Sequence, residues 1–292
     1  MKKHLTLFMA ALGLFTASVS YAAEPIPAQT KDQALYDRLP PDIKSAGKMV
    51  AVNNGSFPPY EIVTGPHSLD GASHDLAVAL GQLLGIKIEY ATVSGLSGLL
   101  AGINAGRYQL AIGPVGDYPD RQKKVDFIDF VQEFVVFGVP KGNPAGIHGL
   151  EDTCGKRIAV MAGGSAEQVI RKQSQACAAA GKPAVTVQSF TDQPSSILAV
   201  RSHRSDAFFS SQAPLTYFVE QAHGQLELAG KGKKNGFGDI FQGTVVPKGS
   251  VLGDVILDGY RELFNNGTYA AIMKKWRLDG NMIAAPGRDL AK

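Results

Sequence analysis

Three stretches carry residue types that could hold a small ligand, two of them suited to an anion. Gly163-Gly164-Ser165-Ala166-Glu167 follows the apolar run Arg157-Ile158-Ala159-Val160-Met161. The run reads as a buried strand, the glycines as a tight turn, and Ser165 as the cap of a helix carrying Ala166, Val169 and Ile170. A strand, a glycine turn and a helix start leave backbone N–H groups pointing outward, which suits a carboxylate or another small anion. Arg121 ends the loop 113–121 and could grip a carboxylate through its planar fork. It could equally pair on the surface with Asp117 or Asp120. Phe57 sits in Ser56-Phe57-Pro58-Pro59-Tyr60, where the prolines forbid helix and hold the backbone extended. Its ring is placed either to stack on a ligand or to plug the core.

Catalytic chemistry finds less support. Glu167, Asp117, His74 and His203 are the candidate acids and bases, and none has a partner at convincing spacing. No catalytic residue, metal ligand or cofactor is therefore assigned. Gly98, Gly102 and Gly106 recur every four residues but follow no strand, so they make no phosphate loop. Cys154 and Cys177 have no histidine at ligand spacing. Their even number favours a disulfide, with two free thiols as the alternative.

The elements that must position these residues alternate along the chain. Met49–Val52 reads as a strand, residues 73–85 as a helix with Leu76, Leu80, Leu83 and Leu84 on one face, and 86–90 as a strand. A helix with Leu96, Leu99, Leu100 and Ile103 follows, then the strand Leu110-Ala111-Ile112. This order predicts a parallel α/β sheet, whose ligands sit at the carboxyl ends of its strands. Asn54, Phe57 and the segment 113–121 fall at that end. The pattern repeats with strands at 157–161, 185–187 and 207–209 and helices at 165–176 and 194–201. Val139-Pro140-Lys141-Gly142 and Val246-Pro247-Lys248-Gly249 read as the outward and return crossovers between two lobes, with a cleft between them. The expected division is an N-terminal arm at 23–46 with one short helix near 33–38, lobe 1 at 47–140 and 246–280, lobe 2 at 141–245, and a frayed tail at 281–292.

Composition limits the remaining possibilities. Met1-Lys2-Lys3, an apolar stretch to Val19, and Ser20-Tyr21-Ala22 read as a signal peptide (residues 1–22) cleaved after Ala22, which implies export to the periplasm. Loss of Lys2 and Lys3 lowers the formal charge from +3 to +1. A near-neutral chain with scattered charges gives no case for nucleic acid or an anionic membrane. At 45 % hydrophobic it can bury a large core, and a monomer is expected.

These motifs, taken in order, resemble those of the extracytoplasmic solute-binding proteins, family 3, of polar amino-acid ABC importers. The resemblance covers about 45–280. It rests on Ser56-Phe57-Pro58-Pro59-Tyr60-Glu61; Gly71 with Asp75-Leu76-Ala77; Pro119-Asp120-Arg121 with Val125-Asp126-Phe127; Val139-Pro140-Lys141-Gly142; Gly163-Gly164-Ser165-Ala166-Glu167; Pro247-Lys248; and Asn266-Gly267-Thr268-Tyr269 with Lys275-Trp276. The cysteine pair also looks like a branch of that family. The resemblance implies two α/β lobes, each a mainly parallel sheet flanked by helices, joined by a two-strand hinge. They would close on a small carboxylate-bearing ligand and dock on the transmembrane subunits of an ABC permease. It implies that Arg121 and the helix start at Gly164 and Ser165 hold a carboxylate, and that Phe57 and Leu96 clamp the rest. A dehydratase of cyclohexadienyl acids on the same scaffold and a sensor acting in trans are the alternative functions.

This chain also departs from the family's pattern. Gly116 stands where relatives carry Ser or Thr, and Pro114 has no N–H where they offer one. Ser211 replaces an aspartate that meets the ligand's α-ammonium, and Asn54 stands where many have an acid. Ala72-Ser73 replaces an aromatic–acid pair. A buried ammonium without a carboxylate costs several kcal/mol. The expected ligand therefore has a carboxylate for Arg121 and Ser165 and little positive charge near Ser211, unless Asp117, Asp192 or Glu167 supplies a displaced acid.

Overall fold

The computed structural model describes residues 26–292, so the signal-peptide reading lies outside the described residues. Two short helices come first, α1 (Gln33–Asp37) and α2 (Pro41–Ala46). Asp32 caps α1 by accepting from the Leu35 N–H, and Pro41 opens α2 where a missing N–H costs nothing. The expected loose arm is thus corrected. Leu35, Leu39 and Ile43 are buried and join the lobe 1 core, which gives the segment a reason to stay docked.

Lobe 1 is built from β1 (Lys48–Asn53), the hairpin β2 (Ile62–Gly65) and β3 (Ser68–Asp70), α3 (Ala72–Leu84), β4 (Lys87–Thr92), α4 (Gly95–Asn104), β5 (Ala111–Gly116), α5 (Pro119–Gln122) and β6 (Val125–Glu133). Lobe 2 follows with β7 (Val135–Pro140), β8 (Arg157–Met161), α6 (Ser165–Ala179), β9 (Thr186–Phe190), α7 (Gln193–Arg201), β10 (Ala207–Ser211), α8 (Gln212–Gln221) and β11 (Leu226–Ala229). The chain returns through β12 (Ile240–Pro247), α9 (Val251–Asn265), α10 (Thr268–Lys275) and β13 (Met282–Arg288).

Each sheet has a parallel half and an antiparallel half. In lobe 1, β4 and β1 pair in parallel, and Ala51 bridges in parallel to Leu110 just before β5. The strands β5, β12, β6 and β13 then run antiparallel to their neighbours. In lobe 2, β9, β8 and β10 are parallel, and β7 and β11 complete the sheet antiparallel. Four apolar clusters cover the two faces of both sheets. The parallel halves come from the strand–helix–strand repeats seen in the sequence.

The sheet change falls earlier than the expected crossovers. β6 pairs with β12 and β13, whereas β7 pairs with β10 and β11, so the switch is at Phe134, not after Pro140. On the return, β12 already belongs to lobe 1 from Ile240. The run from Val125 to Pro140 is almost uninterruptedly buried, and apolar periodicity cannot show where such a run changes sheets. The frayed tail is corrected too. β13 pairs with β6, and the N–H groups of Leu290 and Ala291 donate to Asp129 and Asp117 at 3.0 and 2.9 Å.

Distant motifs meet in space. Asp75 accepts from Lys275 Nζ at 2.8 Å and from Trp276 Nε1 at 2.6 Å, tying α3 to the end of α10. Asp126 ion-pairs with Lys248 at 2.6 Å and accepts from the Gly249 N–H at 2.8 Å. Trp276 is thus a packing anchor. Cys154 and Cys177 form a disulfide that fastens the start of β8 to the end of α6.

Candidate functional site

A small cavity of about 80 Å³ lies between the lobes at the carboxyl ends of β1, β5, β8 and β10. It brings together all eight candidate residues: Asn54, Phe57, Leu96, Gly116 and Arg121 from lobe 1, and Gly164, Ser165 and Ser211 from lobe 2. Contacts across the cleft hold it closed. The Ser165 hydroxyl donates to Tyr118 Oη at 2.8 Å, Gln242 Nε2 to Ser211 Oγ at 3.5 Å, and Asn54 Nδ2 approaches Met161 Sδ at 3.9 Å.

The apolar wall follows from helix and loop packing. Leu96 sits in the first turn of α4, buried with Leu99 and Ile103 against the sheet. Phe57 is half-buried, packed against the lobe 1 core and stacked on Tyr60 with centroids 6.0 Å apart. Its ring therefore fills the edge of the core, the second of the two readings, and also borders the cavity.

Arg121 lies on α5 with no acid at ion-pair distance among the described residues. Asp120 pairs with Lys123 instead, and Asp117 accepts from Gln122 and Ala291. The surface-pair alternative is thereby excluded. Arg121 Nη1 donates to the Gly116 carbonyl at 2.8 Å, and its guanidinium lies 4.9 Å from the centre of the Tyr118 ring. Burial lowers its pKa from the ordinary arginine value. It remains a cation that the protein only partly satisfies.

Lobe 2 answers with a helix start. Gly163 adopts φ +72, a turn that L side chains rarely make, and its Cα faces Ser97 of lobe 1. Gly164 is the N-cap of α6 and Ser165 its first helical residue, which corrects the expectation that Ser165 caps the helix. Glu167 reaches back to accept from the Gly163 N–H at 2.7 Å. The Ser165 and Ala166 N–H groups have no intrahelical acceptor and border the cavity.

The three acids proposed as displaced partners are engaged elsewhere. Asp192 caps α7 by accepting from the Ser195 N–H at 2.7 Å. Glu167 bonds Arg171, Ser189 and Gly163, and Asp117 secures the tail. The acid that does line the cavity is Glu61, which the sequence reading placed in a motif without a role. A lone acid four residues after Phe57 gives no sign of burial, because the turn that folds it inward depends on Phe57 and Glu61 exchanging backbone hydrogen bonds. Gln193, Ser210 and Gln242 were missed likewise. They form a buried amide–hydroxyl lining in which Gln193 Nε2 donates to Ser210 Oγ at 3.0 Å. Of the histidines, His74 bonds the Tyr90 hydroxyl and His203 lies in a turn, and neither lines the cavity.

Comparison with known proteins agrees with the two-lobed fold. The profile of the bacterial extracellular solute-binding proteins, family 3, matches residues 49–279. Arginine-binding protein ArgT of Corynebacterium glutamicum is 24 % identical over 250 residues, covering 84 % of this chain and 79 % of that protein. L-cystine-binding protein TcyJ of Escherichia coli K12 is 25 % identical over 236 residues, covering 80 % of this chain and 84 % of its own. Among solved structures, an ancestral arginine-binding protein bound to glutamine superposes with a TM-score of 0.68 at 28 % identity, covering 80 % of this chain and 98 % of its own. The chain belongs to the bacterial extracellular solute-binding proteins of family 3.

Proposed function

We propose that this protein is the substrate-binding component of an ABC importer. It captures an amino acid or a related small carboxylate between its lobes and delivers it to a membrane permease from the periplasm. The observation that carries this reading is Arg121, an unpaired guanidinium facing the N-terminus of α6 across a closable cleft. A carboxylate there would accept from the arginine fork and the helix N–H groups at once. The hinge at Phe134 and before Ile240 lets the lobes part, and the Ser165–Tyr118 bond helps them close. The family and the named arginine- and cystine-binding relatives support the same reading. No helix among the described residues is long and apolar enough to cross a membrane, which fits a partner subunit forming the channel.

The dehydratase reading keeps one supporting observation. Burial raises the Glu61 pKa well above the usual carboxylate range, and an acid-assisted elimination needs a protonated carboxyl at its substrate. The test is a thermal-shift screen of protein stripped of ligand by denaturation and refolding. The library pairs α-amino acids with matched carboxylates lacking the amine. A ligand at a hundred times its Kd adds about 2.7 kcal/mol and raises the melting temperature. The hit is then incubated with the protein and recovered. Unchanged ligand supports import, converted ligand supports the enzyme, and a library without hits refutes both.

A further inference from the structure

Two buried acids outside the cleft fasten the loop that carries Arg121. Asp117 and Asp129 are 1 % and 0 % exposed, and neither lines the cavity. Asp117 Oδ2 accepts from the Ala291 N–H at 2.9 Å, and Asp129 Oδ2 from the Leu290 N–H at 3.0 Å. Asp117 Oδ1 accepts from Gln122 Nε2 at 2.8 Å, and the same nitrogen donates to the Ala291 carbonyl at 3.0 Å. Asp129 Oδ1 is buried with no donor among the described residues. The Asp117 carboxyl stands within hydrogen-bond reach of the Asp129 carboxyl. Two ionised carboxylates so placed repel each other, whereas one proton between them makes a hydrogen bond. The family match ends at residue 279, so β13 and residues 289–291 supply their part of this arrangement from beyond it.

We propose that Asp117 and Asp129 are positioning residues for Arg121: sharing one proton, they clasp residues 290 and 291 to α5 and hold the guanidinium at the cleft, and loss of that proton opens the clasp. The inference rests on the binding reading above and adds a control to its carboxylate grip. The path is short. Asp117 lies between Gly116, whose carbonyl accepts from Arg121 Nη1, and Tyr118, whose carbonyl accepts from the Arg121 and Gln122 N–H groups. A shift of Asp117 away from Asp129 moves both of those carbonyls. When the proton leaves to solvent, a second negative charge also stays near Arg121. Both effects oppose a bound carboxylate, so its affinity falls as pH rises.

The surroundings supply no cation that would hold both acids ionised. Burial raises the Asp129 pKa to about 8; the charges of Asp117 and Asp289 add to this, and the Leu290 bond opposes it. Burial raises the Asp117 pKa as well. From α5 and the turn before it, Arg121 and the neutral Tyr118 face Asp117, while Asp120 pairs with Lys123. From the last segment, Asp289 accepts from the Phe127 N–H at 2.8 Å and lies 3.5 Å from Lys248, and Arg288 pairs with Asp254. On β6, Asp126 pairs with Lys248. On β12, the residues opposite Gly116 and Asp129 are Gln242 and Gly243, which do not titrate. The folded pKa of Asp129 exceeds its unfolded value of ~4, so the stability it contributes is complete below that value and is lost as pH rises through about 8.

The experiment compares wild type, Asp129→Asn and Asp129→Ala. Asparagine keeps an oxygen for the Leu290 N–H and turns a permanent donor toward Asp117, whereas alanine leaves both unpaired. Hydrogen exchange of the Arg121, Gln122, Leu290 and Ala291 amides is followed from pH 6 to 9.5 and corrected for the intrinsic base-catalysed rate. Wild-type protection is expected to fall about tenfold or more between pH 7 and 9.5. Asp129→Asn keeps its pH 7 protection throughout, and Asp129→Ala exchanges like high-pH wild type at every pH. Calorimetric titration with L-arginine and L-glutamine, or with the tightest hit of the screen where neither binds, reads the grip itself. One proton changes an equilibrium by at most tenfold per pH unit, so wild-type affinity should fall roughly 3- to 30-fold over that range relative to Asp129→Asn, a ratio that cancels titration of the probe. Parallel exchange profiles in wild type and Asp129→Asn overturn the proposal, as do wild-type protection in Asp129→Ala and a constant affinity ratio. If a variant does not fold, flat wild-type protection through pH 9.5 overturns it alone. Each of these leaves the importer reading standing. A clasp that opens with pH while no probe or screened compound binds sustains the clasp and removes the importer reading.

Discussion

Replacing Arg121 by methionine separates a ligand-binding arginine from a structural one. In the unliganded protein the change removes the Gly116 carbonyl bond and the contact with the Tyr118 ring. Those losses are about 1 kcal/mol and ~0.5–1 kcal/mol. They are opposed by removal of a desolvated cation with no acid beside it. Methionine keeps the apolar stem against Tyr118. The net change in stability is therefore near zero, and the melting temperature should move by no more than about 4 °C. The bound state behaves differently. A carboxylate held by two charge-assisted hydrogen bonds loses about 3–5 kcal/mol when the fork goes, which is roughly 10²- to 10⁴-fold in Kd. Arg121→Lys keeps the charge without the fork and should fall between. The assay is calorimetric titration of stripped protein with the tightest ligand from the screen, beside melting of the unliganded variants. The reasoning fails if Arg121→Met binds within threefold of wild type. It also fails if the unliganded variant melts 10 °C or more below wild type, since Arg121 would then be holding the loop together.

Three further outcomes are expected. Substituting both cysteines by serine opens a 23-residue loop and should cost about 3 kcal/mol, lowering the melting temperature on the order of 10 °C without changing Kd more than twofold; urea titration and calorimetry check this. Glu133 lies at the sheet switch, where burial raises its pKa to about 7 despite bonds from Tyr60, Asn281 and the Phe134 and Ala213 N–H groups. Its folded pKa exceeds its unfolded one, so the stability it contributes is complete below pH ~4.5 and is lost as pH rises through about 7. E133Q should therefore gain roughly 3 kcal/mol relative to wild type between pH 4.5 and 8, and paired melts that run parallel across that range would contradict the assignment. Tyr118→Phe removes an acceptor that bridges the lobes in the closed form, so affinity should fall about 2- to 10-fold while unliganded stability stays within 1 kcal/mol, as titration and denaturant melts would show.

How much of this was legible in the sequence depends on how local each signal is. The turn at Gly163 and the helix after it are encoded within five residues, and the eight candidate residues do meet in one cavity. The motif pairs Asp75 with Trp276 and Asp126 with Lys248 were visible as pieces, but their contact was not. Glu61 was missed because its meaning lies in what surrounds it: an identical residue on an exposed strand would be unremarkable to any pattern. The switch at Phe134 was misplaced because both neighbouring strands are buried on both faces, which erases the alternation that marks an edge. Residues 282–288 looked like a tail because Ala284, Ala285, Pro286 and Gly287 have little strand propensity. Their partner β6 supplies the reason to be extended.

The placement of the last residues matters to anyone who attaches something to this protein. Ala291 accepts from Gln122, the neighbour of Arg121 on the same short helix, while its N–H and that of Leu290 are held by Asp117 and Asp129. Residues 290 and 291 are thus tied to the short helix that carries Arg121. A bulky group attached to these residues would load the loop that carries Arg121, whereas a small fluorophore attached to them would report on that loop. The same attachment that is a nuisance for purification is a natural output port for a sensor.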